Sequence, residues 1–128
     1  MNLTEELMKI EINLEKSFDS KSYEPPVREA FYLNHWIRYK KNLNDLDYTG
    51  IQQARLLFRS LKELSAEDRE FLAMKYDPPS PNTTRITDEA MAKKLGMTLH
   101  EYRVKRRLIQ KRLKKIMVKH KIEAQKNN

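Results

Sequence analysis

Cysteine is absent, glycine occurs only at Gly50 and Gly96, and histidine only at three scattered positions. Without cysteine there is neither a disulfide framework nor a thiolate zinc site. Two isolated glycines cannot build a glycine-rich phosphate loop. His35 stands alone, while His100 and His120 lie in basic helical sequence, so no metal-ligand spacing forms. No nucleophile has an evident activating partner. Catalysis is the weakest reading, and no cofactor is expected. No apolar run approaches the roughly 20 residues that cross a bilayer. The opening MNLTEELMKIEINLEK is acidic and lacks the basic segment and long apolar core of a signal peptide. The expectation is a cytoplasmic protein with no membrane partner.

What is present is apolar side chain in helical register and a lopsided charge. Six Met, four Phe, six Tyr and one Trp, with 39% hydrophobic residues, suffice for a folded all-α protein of one domain, or of two small ones sharing a core. The formal charge of +8 is concentrated. From Arg85 to Asn128 there are 14 Lys or Arg against four acidic residues, whereas Met1 to Thr84 carries 12 against 14. A field of this kind attracts a polyanion and steers it to one face.

Along the chain, Leu7, Ile10, Leu14 and Phe18 mark an apolar side for a helix from about Thr4 to Phe18, capped by Thr4. Pro25 and Pro26 break it and favour a new start. The next helix, about Pro26 to Leu43, is aromatic: Tyr32, Trp36 and Tyr39 recur at spacings of four and three, with Ala30, Leu33 and Ile37 beside them. These residues read as the main N-terminal core, with a protein or nucleic-acid contact as the alternative. Asn44 to Gly50 reads as a turn-rich connection. Ile51, Ala54, Leu57, Phe58, Leu61 and Leu64 then define an amphipathic helix ending near Leu64, which could close the core or pair two chains. Ser65 caps a helix to Tyr76, with Glu67 and Asp68 in its first turn. The polar run DPPSPNTT, Asp77 to Thr84, holds three prolines and cannot stay helical.

The stretch Thr87 to Leu113 carries the functional signal. Thr87 caps a short helix whose first turn holds Asp88 and Glu89. Gly96 is placed to end it in the left-handed conformation. Thr98 and Glu101 then form a Thr-x-x-Glu capping box for a second helix. Two helices so joined make a helix-turn-helix, whose second helix normally enters the DNA groove. Leu99, Tyr102, Ile109, Leu113 and Ile116 fall on one stripe of that helix. His100, Arg103, Arg107 and Lys111 gather opposite or beside it, with Val104 and Leu108 close to the basic face. Arg is the best reader of base edges, because its fork binds guanine O6 and N7 together. The candidate DNA-binding residues are therefore Thr98, toward a phosphate, with His100, Arg103, Arg107 and Lys111. Arg103 and Arg107 lead for base contacts. Lys93, Lys94, Arg112, Lys114 and Lys115 add positive field. The basic helix is expected to end near Val118 and to give way to a basic tail.

Three segments, LSAEDREFLAMKY, TDEAMAKKLGMT and EYRVKRRLIQKRL, resemble region 4 of bacterial sigma factors. The match is closer to the phage-encoded late-gene regulators of the ArpU and RinA type, through the GMT…YRVKRR stretch and its leading LSxxDRxFLxxxY helix. It covers about Leu64 to Ile116. The resemblance implies a small phage or prophage transcriptional regulator with a sigma-like helix-turn-helix, binding double-stranded DNA and contacting RNA polymerase. It divides the chain into an N-terminal helical region over 1–64, a DNA-binding domain over 65–118 and a tail over 119–128. Lys105 or Arg106 departs from the pattern, standing where an inward apolar residue is usual; either could bury its stem and keep its charge outside. The DPPSPNTT connection is also longer than the usual link.

Two other readings compete. A phage packaging protein of the small-terminase kind also marks DNA with a helix-turn-helix, and would form a ring. An interaction module would use its basic helix on an acidic protein or a membrane surface. A regulator itself could bind as a homo-oligomer on a palindrome or dock singly on polymerase.

Overall fold

Amphipathic spacing and local caps set the elements, and the computed structural model describes residues 26–79 and 85–126. The helix expected from Thr4 to Phe18 and the break before Pro26 lie outside the described residues, as does most of the DPPSPNTT connection. The elements are α1 (Glu29–Asn34), α2 (Trp36–Lys41), a 3-10 turn (Leu43–Asp45), α3 (Tyr48–Glu63), α4 (Ala66–Tyr76), α5 (Asp88–Leu95) and α6 (Leu99–Lys126). The described residues are thus all-α, with packed helices.

Two boundaries differ from the sequence expectation in the N-terminal half. The single aromatic helix is split at His35, whose φ of −104° and ψ of 5° leave helical geometry. The His35 Nδ1–H donates to the Phe31 carbonyl at 2.7 Å, occupying the acceptor that a continuous helix would offer to the His35 amide. That amide turns instead to the Tyr32 carbonyl. The expected turn around Gly50 is instead the first turn of α3. Asp47 caps it by accepting the Gly50 amide at 2.7 Å, which moves the start back to Tyr48.

Leu33, Trp36 and Tyr39 from α1 and α2, Leu57 and Leu61 from α3, Phe71 and Leu72 from α4, Met91 from α5, and Tyr102, Ile109, Leu113 and Met117 from α6 form one buried cluster. Leu57, Leu61 and Leu64 therefore close the core, while Phe58 is only partly buried. The N-terminal helices are packed against the helices that follow Ser65.

The largest correction concerns α6. It does not end near Val118 but continues as helix to Lys126. The reason is tertiary: α1 and α3 enclose its second half. There Met117, Val118 and His120 are buried. His120 sits between the carboxylates of Glu63 and Glu123, and Lys119 donates to Glu63 at 2.7 Å. Residues that look like a solvated basic tail in sequence thus find acidic and apolar partners on α3.

Tyr102 is fully enclosed, its ring stacked on Phe71 at 5.3 Å, and its hydroxyl has no hydrogen-bond partner among the described residues. Burial raises the phenol above its ordinary range, so it stays neutral. An unsatisfied buried hydroxyl costs free energy. Tyr102→Phe is expected to leave stability unchanged or raise it by about 1 kcal/mol. Urea denaturation checks this, and a loss above about 1 kcal/mol would show that the hydroxyl has a partner.

Candidate nucleic-acid interface

The junction of α5 and α6 is built from three local devices. The Thr87 hydroxyl accepts the Ala90 amide at 3.1 Å and opens α5. Gly96 closes it at φ 67°, with the Met97 amide bonded to the Ala92 carbonyl and the Gly96 amide to that of Lys93. This is the Schellman pattern, in which two carbonyls orphaned at the helix end are satisfied. Thr98 and Glu101 then make both bonds of the capping box, at 2.9 and 3.0 Å. A Cβ at position 96 would meet no atom within 4 Å. The cost of Gly96→Ala is therefore conformational alone, about 1 kcal/mol in urea denaturation. Gly96→Asn should lose less, because Asn tolerates the left-handed region; equal losses would contradict the backbone explanation.

Beneath this turn lies a polar hub that the sequence reading did not foresee. Asp88, in the first turn of α5 and with a side chain only 12% exposed, meets Lys75 at 3.0 Å, Arg103 at 3.1 Å and Arg106 at 3.0 Å. Burial alone would raise its carboxyl. Hydrogen bonds from Lys75, Arg106 and Arg103 outweigh that and hold it at about 2. Lys75 also donates to the Ile86 carbonyl at 2.7 Å, fixing the chain where it leads into α5. Arg106 continues to the Gln110 Oε1 at 2.8 Å, which also accepts the Tyr76 hydroxyl at 2.8 Å. Gln110 in turn donates to Glu29 of α1 at 3.1 Å. One connected network thus ties α1, α4, α5 and α6.

The network sorts the expected basic face. Of the adjacent pair Lys105 and Arg106, it is Arg106, 15% exposed, that turns inward, while Lys105 places its Nζ 4.8 Å from the centroid of the Phe71 ring. Arg103 keeps partial exposure, but its guanidinium is held by Asp88 and lies 3.9 Å from Glu89. Thr98 is engaged by Glu101: its amide donates to the carboxylate, and its hydroxyl accepts the Glu101 amide. That bond takes up the Thr98 amide and puts a negative charge at the start of α6.

His100, Arg107 and Lys111 are exposed, and none has an ion-pair partner among the described residues. At about 100° per residue they fall on one stripe, continued by Lys114 and Lys115. Val104 and Leu108, 49% and 50% exposed, lie along the same stripe. At the end of α5, Lys93 and Lys94 are exposed next to the turn. The sequence pattern marks this stripe through the opposite one, since Tyr102, Ile109 and Leu113 are fully buried. The Asp88 hub leaves only a weak trace in sequence, an acid opening a helix with arginines further on.

Among the described residues no His, Cys, Asp or Glu cluster suits a metal ion, and no helix is long and apolar enough to cross a membrane. No protein-family model, curated protein or solved structure matches the chain.

Proposed function

We propose that the chain is a sequence-specific DNA-binding transcriptional regulator that presents the outer stripe of α6 to the major groove of double-stranded DNA. The observation that carries this reading is the stripe itself. His100, Arg107 and Lys111 stand free of ion pairs among the described residues, with exposed Val104 and Leu108 between them, on a helix whose other side is locked into the core. Cations alone would suit any polyanion. Exposed aliphatic groups among them add surface that can rest on thymine methyls, while Arg107 can address guanine. Arg103, bound to Asp88, serves this reading better as a positioning residue for α5 and α6 than as the leading base reader.

The sigma-like helix-turn-helix and a phage or prophage origin enter on the resemblance of the Leu64 to Ile116 stretch, as does a contact with RNA polymerase. The split between support over 1–64 and DNA binding over 65–118 would then be one of roles, because the two share a core.

Titration of the full chain against labelled duplex, with anisotropy read at several salt concentrations, tests the interface. Affinity should fall steeply with salt, and the slope of log K against log salt should shrink by about 1 in the Arg107→Ala, Lys111→Ala variant, through the lost Lys111 phosphate contact. An unchanged slope in that variant would remove α6 from the interface.

A further inference from the structure

A second surface lies on the N-terminal helices, separate from the α6 stripe. A groove of about 510 Å³ runs between the 3-10 turn and α3. Its floor is apolar: Leu43, 53% exposed, with the partly buried Ile51 and Phe58. Its rim is cationic, made by Arg55, Arg59 and Lys62. These three are exposed and have no ion-pair partner among the described residues. Their spacing of four and three residues sets them in one row along α3, about 10 Å long at the helical rise.

Charges on a helix are ordinarily just its solvated face, and one exposed Leu needs no explanation. The combination is what requires one. An aliphatic and aromatic floor gains nothing from a phosphate backbone, which would engage the cations and leave the floor wet. An amphipathic helix covers both features at once: apolar residues at i, i+3, i+4 and i+7 fill the floor, and carboxylates at matching spacing meet the row of cations. We infer that this groove docks an acidic amphipathic helix of a protein partner. Apolar burial supplies the affinity, and the three cations set orientation and speed of encounter. The inference stands apart from DNA binding, so a regulator that failed on DNA could still carry this site.

The test uses the full chain and a labelled synthetic helix with Leu at i, i+3, i+4 and i+7 and Glu elsewhere. Its control is a scrambled isomer of identical composition, which has the same charge but no apolar face. The amphipathic peptide should bind, with amide shifts in an NMR titration centred on Leu43, Ile51 and Phe58, and the scrambled isomer should bind at least about tenfold more weakly. Arg55→Gln with Arg59→Gln, and separately Leu43→Ser, should each lower peptide affinity by about tenfold or more while the thermal midpoint stays near wild type. These positions are exposed, so the variants are expected to fold. Equal binding of the two peptides, no binding of either, or indifference to both variants would overturn the inference. So would a loss of duplex-DNA affinity in the Arg55→Gln, Arg59→Gln variant as large as its loss of peptide affinity, since the rim would then belong to a nucleic-acid face.

Discussion

Arg107→Ala is expected to lower affinity for the chain's preferred DNA site by about 10- to 100-fold while changing affinity for random duplex far less. One well-placed bidentate base contact is worth about 1–3 kcal/mol. Among the arginines of the first turns of α6, Arg107 is exposed and unpaired among the described residues, whereas Arg103 and Arg106 are both bound to Asp88. Lys114→Ala provides the contrast. A lysine further along the same stripe supplies field and phosphate contact, so its loss should weaken every duplex alike and lower the salt slope by about 1. Competition anisotropy with specific and random duplexes separates the two outcomes. Parallel, nonselective losses in both variants would remove base reading from Arg107. Arg103→Ala should act differently again, by loosening the contact between α5 and α6, and its effect should appear in stability as well as in binding.

Asp88→Asn is expected to be the most destabilising single change in the α5–α6 junction. It removes the counter-charge of Lys75, Arg103 and Arg106 at once, and two of these are themselves largely buried. Breaking a buried pair by deleting one partner costs about 3 kcal/mol or more, because the remaining charges stay desolvated. For a chain of this size that corresponds to a fall in Tm of about 10 °C. The effect must also depend on pH in a defined direction. The carboxyl is held at about 2 against an ordinary 3.8, so the native state favours its ionised form. Its contribution is fully present above about pH 4 and is lost as pH falls from there toward 2. Wild type and Asp88→Asn should therefore differ most at pH 7 and converge near pH 2. Urea denaturation across that range checks both statements. A difference that stayed constant down to pH 2 would mean that Asp88 acts through shape rather than charge.

The parts of the fold legible in sequence are those decided by neighbours along the chain. Ser65, Thr87 and Thr98 cap helices because a short oxygen-bearing side chain reaches amides two or three residues on. Gly96 ends one because it alone takes φ 67° without strain. The buried stripe of α6 likewise follows from spacing. What sequence left out was decided by partners far along the chain. Nothing near Arg106 says that Asp88 will face it, so its inward turn could be read only as an anomaly. The last two turns of α6 look like a basic tail until Glu63, more than fifty residues earlier, is seen to meet Lys119 and His120. The split at His35 depends on a ring nitrogen capturing a carbonyl, a contact that periodicity does not register. The candidate site divides in the same way. Its stripe was visible, but which of its arginines are free was not.

The central claim is that the outer stripe of α6 reads DNA sequence. The most direct measurement is selection of bound duplexes from a random pool, with the Arg107→Ala, Lys111→Ala variant run beside the full wild-type chain. A compact enriched motif that disappears in the variant is the predicted result, and its symmetry would report whether one chain or two engage the site. No enrichment by the wild-type chain, or the same motif recovered by the variant, would contradict it.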